Sequence, residues 1–104
     1  MAERAVGVIG LGIMGSAMSA NLVKAGFDVR GYDIVAARRA ALKRAGGKPA
    51  SSVSRINTQV IITSLPSAEA LHAVARQLRG KCIVVETSTL PIEEKVKARD
   101  TLKR

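Results

Sequence analysis

Along this 104-residue chain the apolar positions switch repeatedly between strand-like and helix-like spacing. Val6, Val8 and Ile9 form a short apolar strand, and a glycine-rich turn follows it. Residues 14–25 carry apolar positions at helical spacing, with Ala17, Met18, Leu22 and Val23 on one face and Gly26 as the stop. Residues 27–32 predict a second strand, closed by Asp33. Residues 35–45, rich in Ala and Arg, predict a helix that ends at Gly46 and Gly47. Residues 48–52 read as a short edge strand or turn, and 53–57 as one helical turn.

The stretch "QVIITS" at 59–64 is a β-branched run of the kind found in a strand buried on both faces. Leu65, Pro66 and Ser67 break it. Ser67 is a good N-cap, and Glu69 suits the positive end of the helix it opens. Leu71, Val74, Ala75 and Leu78 then repeat at helical spacing. "KCIVVE" at 81–86 predicts another strand, Thr87, Ser88 and Thr89 a polar turn, and Pro91 the first turn of a charged final helix. Strands that alternate with helices predict an α/β fold, a parallel sheet with helices on its faces. No repeat, low-complexity tract or internal boundary divides residues 1–104, which read as a single domain.

Composition narrows the core. Aromatic residues make up only 2% of the chain, so Val, Ile, Leu, Ala and Met must fill the interior. Net charge is +9, which suits an anionic partner. The cations gather at Arg38, Arg39, Lys43 and Arg44 and again at Lys95, Lys97, Arg99, Lys103 and Arg104, without interleaved aromatics to stack on bases. They read as solvated helix faces rather than a nucleic-acid surface. The single cysteine, Cys82, excludes an internal disulfide and reads as a packing thiol in a buried strand, consistent with a reducing cytoplasm. Glu3 and Arg4 interrupt any signal-peptide pattern, and no apolar run approaches the roughly 20 residues of a membrane span. A cytoplasmic protein without a metal site is expected.

The candidate chemistry lies in "VGVIGLGIMGSAMSANLVKAGFDVRGYD". Gly10, Gly12 and Gly15 form G-x-G-x-x-G between a strand and a helix, and Asp33 stands 21 positions after Gly12. This is the dinucleotide-binding arrangement of a Rossmann-type, doubly wound sheet in three α/β/α layers. Gly10 permits a sharp turn, Gly12 lets backbone approach a pyrophosphate, and Gly15 lets the helix sit tightly on the sheet. The helix N-terminus offers unpaired N–H groups to phosphate. Asp33 can accept from the ribose hydroxyls and would repel a 2′-phosphate, so NAD is expected ahead of NADP. Arg38 and Arg39 could reach back to such a phosphate, which leaves NADP open.

The stretch "GLGIMGSAMSANLVKAGFDVRGYD" resembles the N-terminal signature of the β-hydroxyacid dehydrogenases, through Met14, Met18, Asn21, Leu22, Lys24, Ala25 and Gly26 as well as the glycines. "VIITSLPSAEAL" and "VVETSTLP" are similar to later elements of that family, so the resemblance covers essentially the whole chain. It implies that Leu11, Ile13 and Met14 lie along the dinucleotide through backbone and side chain. Leu65 and Pro66 would pack near its adenosine half. Thr89, together with Ser88, would stand beside the nicotinamide and substrate; from the residues alone, both could equally be helix caps before Pro91.

The chain also departs from that pattern. Glu86 stands where the family carries Asp, and the 78–81 connection is short. Neither the Gly-rich substrate loop nor the G-x-x-x-K-x-x-N helix with the catalytic lysine is matched. His72 reads as a surface residue, and Lys24 lies away from the nicotinamide end. The expectation is therefore a truncated, incomplete dinucleotide-binding domain without the C-terminal helical domain. No catalytic residue is assigned. The parent reaction would be hydride transfer between a nicotinamide and a small β-hydroxyacid, which needs a second half to bind. The alternatives are a non-catalytic dinucleotide-binding or interaction module and, third, a basic nucleic-acid-binding protein. The uncovered sheet edge predicts self-association.

Overall fold

The computed structural model describes residues 4–78 and 80–103; Glu3, Arg104 and part of the 78–81 connection lie outside them. The strands are β1 (Ala5–Ile9), β2 (Asp28–Tyr32), β3 (Lys48–Pro49), β4 (Val60–Thr63) and β5 (Ile83–Glu86). The helices are α1 (Ile13–Lys24), α2 (Ala36–Arg44), α3 (Ala68–Gln77) and α4 (Ile92–Leu102), and Val53–Arg55 is one 3-10 turn. Each expected element is present. Its ends fall close to the expected ones, except that the edge strand expected over 48–52 shrinks to Lys48–Pro49. Pro49 has no N–H to extend a ladder, which suits an edge position.

All neighbouring strands pair in parallel, in the order β3-β2-β1-β4-β5. The chain works outward from β1 to β3, then crosses back to lay β4 on the other side of β1. In such a sheet the crevice at the carboxyl ends of the strands opens where the order reverses, here between β1 and β4.

Strand alternation sorts the core into two layers. Val8 points to one face with Val29, Leu11 and Leu42, under Leu22 and Val23 of α1. Its neighbour Ile9 points to the other face with Ile61, Val74 and Leu78. Behind these, Leu71 and Ala75 of α3 meet Ala98 of α4. The result is the expected three-layer α/β/α arrangement. Among the described residues no helix is long and apolar enough to cross a membrane.

Three expectations need correction. The face of α1 that meets the sheet is not led by Ala17 and Met18; its buried residues are Gly15 and Ser19, and Ala17 is exposed. The gap beneath the helix is too narrow for larger groups: a Cβ on Gly15 would overlap the Gly10 carbonyl oxygen. Ser19 fits by returning its hydroxyl to the Gly15 carbonyl at 2.8 Å. Second, β4 is not buried on both faces, because Ile61 and Thr63 are buried while Val60 and Ile62 are half-buried. The same face continues into β5, where Ile83 and Val85 are 65% and 46% exposed. Register aligns Ile83 with Val60 and Val85 with Ile62, and those with Val6 and Val8, on the α1 side of the sheet beyond the cover of that helix. Third, Cys82 precedes β5 rather than lying within it, and is half-buried against the core.

The space under α1 predicts a contrast between two glycines. Gly15→Ala should lower stability by about 1–3 kcal/mol through overpacking, whereas Gly12→Ala should leave it within about 1 kcal/mol of the parent. Thermal unfolding of both variants measures this, and a Gly15→Ala protein that melts with the parent would contradict the packing described.

Candidate functional site

The turn after β1 is shaped by two different demands on glycine. Gly10 has φ +96, and a Cβ there would run into the Ser64 carbonyl oxygen at the end of β4. Its N–H donates to the Tyr32 carbonyl at 2.9 Å, so the turn is tied to both neighbouring strands. Gly12 is different. It is the N-cap of α1 with an ordinary φ of −71, and a Cβ on it would meet no protein atom within 4 Å. Neither backbone strain nor packing requires glycine there. What its missing side chain leaves open is the approach to the start of α1.

That helix start is rich in donors. The first N–H groups of a helix have no intrahelical partner; the first bond of this ladder is Ser16 N–H to the Gly12 carbonyl at 2.9 Å. No acidic side chain lies in the first turn of α1, and Gly12 supplies no side-chain cap. The partial positive charge of the helix end is therefore not offset by an acid within its own first turn. Ile13 and Met14 flank it, 92% and 56% exposed. An anionic group that brings its own oxygens suits this cradle.

Asp33, just past β2, is buried and already engaged. Its Oδ2 accepts from the Leu11 N–H and its Oδ1 from the Val35 N–H, each at 2.8 Å. Arg38 Nη1 approaches Oδ2 at 3.5 Å and is half exposed. Arg39 instead donates to the Asp33 carbonyl oxygen at 2.7 Å and lies over the Tyr32 ring. The acid thus braces the glycine turn, a task the sequence did not suggest. Leu11, expected along the dinucleotide through backbone and side chain, packs its side chain in the core against Val8, Val29 and Leu42 and gives its N–H to Asp33.

The opposite wall comes from the segments after β4 and β5. Leu65 is half-buried, Pro66 is exposed, and Ser67 caps α3 by accepting from the Ala70 N–H at 3.1 Å, as expected. Ser88 is buried, its hydroxyl accepting from the Leu65 N–H at 2.7 Å and donating to Glu86 Oε1. Thr89 is exposed. Neither residue caps α4, whose N-cap is Pro91 with no side-chain bond.

Glu86 gathers more partners than its place in the sequence suggests. Its Oε1 also accepts from the Ser88 N–H at 3.0 Å and the Thr63 hydroxyl at 3.2 Å. Its Oε2 stands 2.9 Å from Lys95 Nζ of α4, an ion pair outside hydrogen-bond alignment. His72 is also less open than expected; half-buried on α3, it faces Glu94 of α4 at 3.5 Å. Lys24, at the far end of α1 from the glycine turn, is exposed.

Burial opposes the charged form of Glu86, but the Ser88 hydroxyl and N–H and the Lys95 ammonium outweigh it and hold the carboxyl below its ordinary 4.5. A carboxyl with a lowered native pKa adds stability above the ordinary value and loses it as pH falls through the native one. Thermal unfolding between about pH 5 and about pH 3 should therefore fall more steeply for the parent than for Glu86→Gln. Parallel curves would contradict the ion pairing of Glu86.

Comparison with known proteins follows the same lines. A family model described as the NAD binding domain of 6-phosphogluconate dehydrogenase matches residues 5–104. Among solved structures, the 3-hydroxyisobutyrate dehydrogenase of Mycobacterium tuberculosis with L-serine superposes with a TM-score of 0.88 at 26% identity, over 96% of this chain and 36% of that one. An oxidoreductase from Pseudomonas putida gives 0.88 at 29% identity, over 99% of this chain and 38% of that one. The Streptomyces aurantiacus imine reductase gives 0.84 at 29% identity, over 96% and 38%. The chain thus spans well under half the length of these structures. No curated protein sequence matches it.

Proposed function

The chain belongs to the family of the NAD binding domain of 6-phosphogluconate dehydrogenase, and from that premise we propose that it holds the nicotinamide dinucleotide for hydride transfer to or from a small β-hydroxyacid. The observation that carries this reading is Gly12, a glycine that neither its φ of −71 nor any neighbour within 4 Å explains, at the mouth of an uncapped helix. A bound pyrophosphate explains it, because a side chain there would stand between phosphate and the N–H groups of α1.

The dinucleotide, when bound, supplies the hydride donor or acceptor. The chain's residues bind and orient it. The N–H groups at the start of α1 hold the pyrophosphate, with Gly12 leaving room and Ile13 and Met14 at its sides. Asp33 accepts from the adenosine ribose with the lone pairs that Leu11 and Val35 leave free. Leu65 and Pro66 pack beside the adenosine half. Thr89, exposed where Ser88 is buried, stands nearest the nicotinamide and substrate. No residue of the chain is assigned the proton transfer. Reduction of a C=N bond is the second reading, favoured by the 29% identity to an imine reductase.

Asp33 favours NAD because a 2′-phosphate would be brought against its carboxylate. Arg38, 3.5 Å from that carboxylate, is the cation that tempers the repulsion. Calorimetric titration with NAD and with NADP should give saturable binding of both, with NAD tighter. Arg38→Ala should widen the gap, by about two- to fivefold for a partly exposed ion pair. Gly12→Val should abolish both while the protein still melts cooperatively. A folded parent that binds neither dinucleotide, or a Gly12→Val variant that binds as the parent does, would refute the reading.

A further inference from the structure

Two segments form the wall of the cradle opposite Asp33: the one after β4, with Leu65 and Pro66, and the one after β5, with Thr87, Ser88 and Thr89. Their backbones are joined near the strand ends, where the Thr87 N–H and hydroxyl both donate to the Thr63 carbonyl at 2.9 and 2.8 Å. One residue further the ladder stops. There the Leu65 N–H has a side-chain acceptor, the Ser88 hydroxyl oxygen at 2.7 Å. A serine hydroxyl can rotate and its side chain can change rotamer, so the bond is only as firm as whatever holds that hydroxyl.

Glu86 holds it. Its Oε1 accepts the Ser88 hydroxyl proton, the Ser88 N–H and the Thr63 hydroxyl together. Its Oε2 is held from the other side by Lys95 of α4 at 2.9 Å. A hydroxyl that gives its proton to a carboxylate keeps its lone pairs for the amide, and charge-assisted bonds of this kind are roughly twice as strong as neutral ones. The chain of contacts runs from α4 through Lys95, Glu86 and Ser88 to the Leu65 backbone, and every link after Lys95 lies mostly out of water.

We propose that Glu86 is a positioning residue for the dinucleotide site: anchored by Lys95, it fixes the Ser88 hydroxyl on the Leu65 N–H and locks the two segments into one wall. The proposal rests on the dinucleotide reading above for what the wall touches, but not for the clasp itself. Glu86 reaches the cofactor only through Ser88 and Leu65. It sets how the wall is held before the ligand arrives, which is the preorganisation that a loop-built site needs.

Two neighbouring amides separate this role from general support of the fold. The Ser64 N–H donates to the Ile9 carbonyl at 2.9 Å, a ladder bond to β1 that does not pass through Glu86. The Leu65 N–H depends on the clasp. In the full chain, Glu86→Ala should speed hydrogen exchange at Leu65 by at least about tenfold relative to Ser64, and weaken NAD binding by about tenfold. Glu86→Gln, which keeps an acceptor oxygen for Ser88, should recover most of both. Lys95→Met, which removes only the anchor, should move both in the same direction by less, and it carries the comparison if Glu86→Ala does not fold. Equal acceleration of Leu65 and Ser64, or parent-like NAD affinity in Glu86→Ala, would overturn the proposal. A parent that binds neither NAD nor NADP overturns the positioning role together with the functional reading, and the Leu65-to-Ser64 exchange ratio then still decides whether the clasp exists.

Discussion

Helix α1 can begin where it does because no side chain stands between Gly15 and the carbonyl of Gly10. That close approach sets the helix hard against the end of β1 and aims its first N–H groups over the sheet's carboxyl edge. Several other features follow from it. Ser19, the next small residue on the same face, keeps the gap narrow one turn further on. Gly10 must turn with φ +96 to enter the helix within so short a distance. Leu11 is then driven into the core, and its N–H is handed to Asp33 across 22 residues of sequence. A side chain at position 15 would push the helix outward and undo each of these at once, since cores of native density do not yield by an ångström without cost.

The cradle is asymmetric in how its two sides are held. On the β2 side, backbone N–H groups close directly on the carboxylate of Asp33. On the β5 side, the carboxylate of Glu86 acts through a serine and is steadied by a lysine from α4. Between them the helix N-terminus is left without an acidic or hydroxyl cap. Carboxylates therefore stiffen both walls, while the first turn of α1 between them carries no acid. An anion placed at the centre meets the helix end first, while at the Asp33 wall Arg38 stands 3.5 Å from the carboxylate and offsets part of its charge.

Much of this was legible in the sequence because it follows local rules. The alternation of periods gave the order of strands and helices, the glycine spacing with Asp33 gave the cradle, and Ser67 announced its helix. What escaped depended on distance between elements. The sheet face of α1 looked apolar in sequence, but the narrow gap selects Gly15 and Ser19. Ile83 and Val85 read as core residues, yet their exposure is set by where α1 ends, which no local pattern states. Glu86 stands out in the sequence as a departure from a family pattern, but its partners Thr63 and Lys95 come from a neighbouring strand and a later helix. His72 met Glu94 for the same reason, through the packing of α3 on α4.

The central claim is that the first N–H groups of α1 are the anion-binding atoms of this chain. Backbone amide resonances recorded during an NAD titration test it most directly, because each N–H reports for itself. The account predicts saturable shifts largest at Ile13, Met14 and Gly15, with smaller ones at Asp33 and Thr89. Shifts confined to other parts of the chain, with the amides of α1 unmoved at saturation, would contradict it.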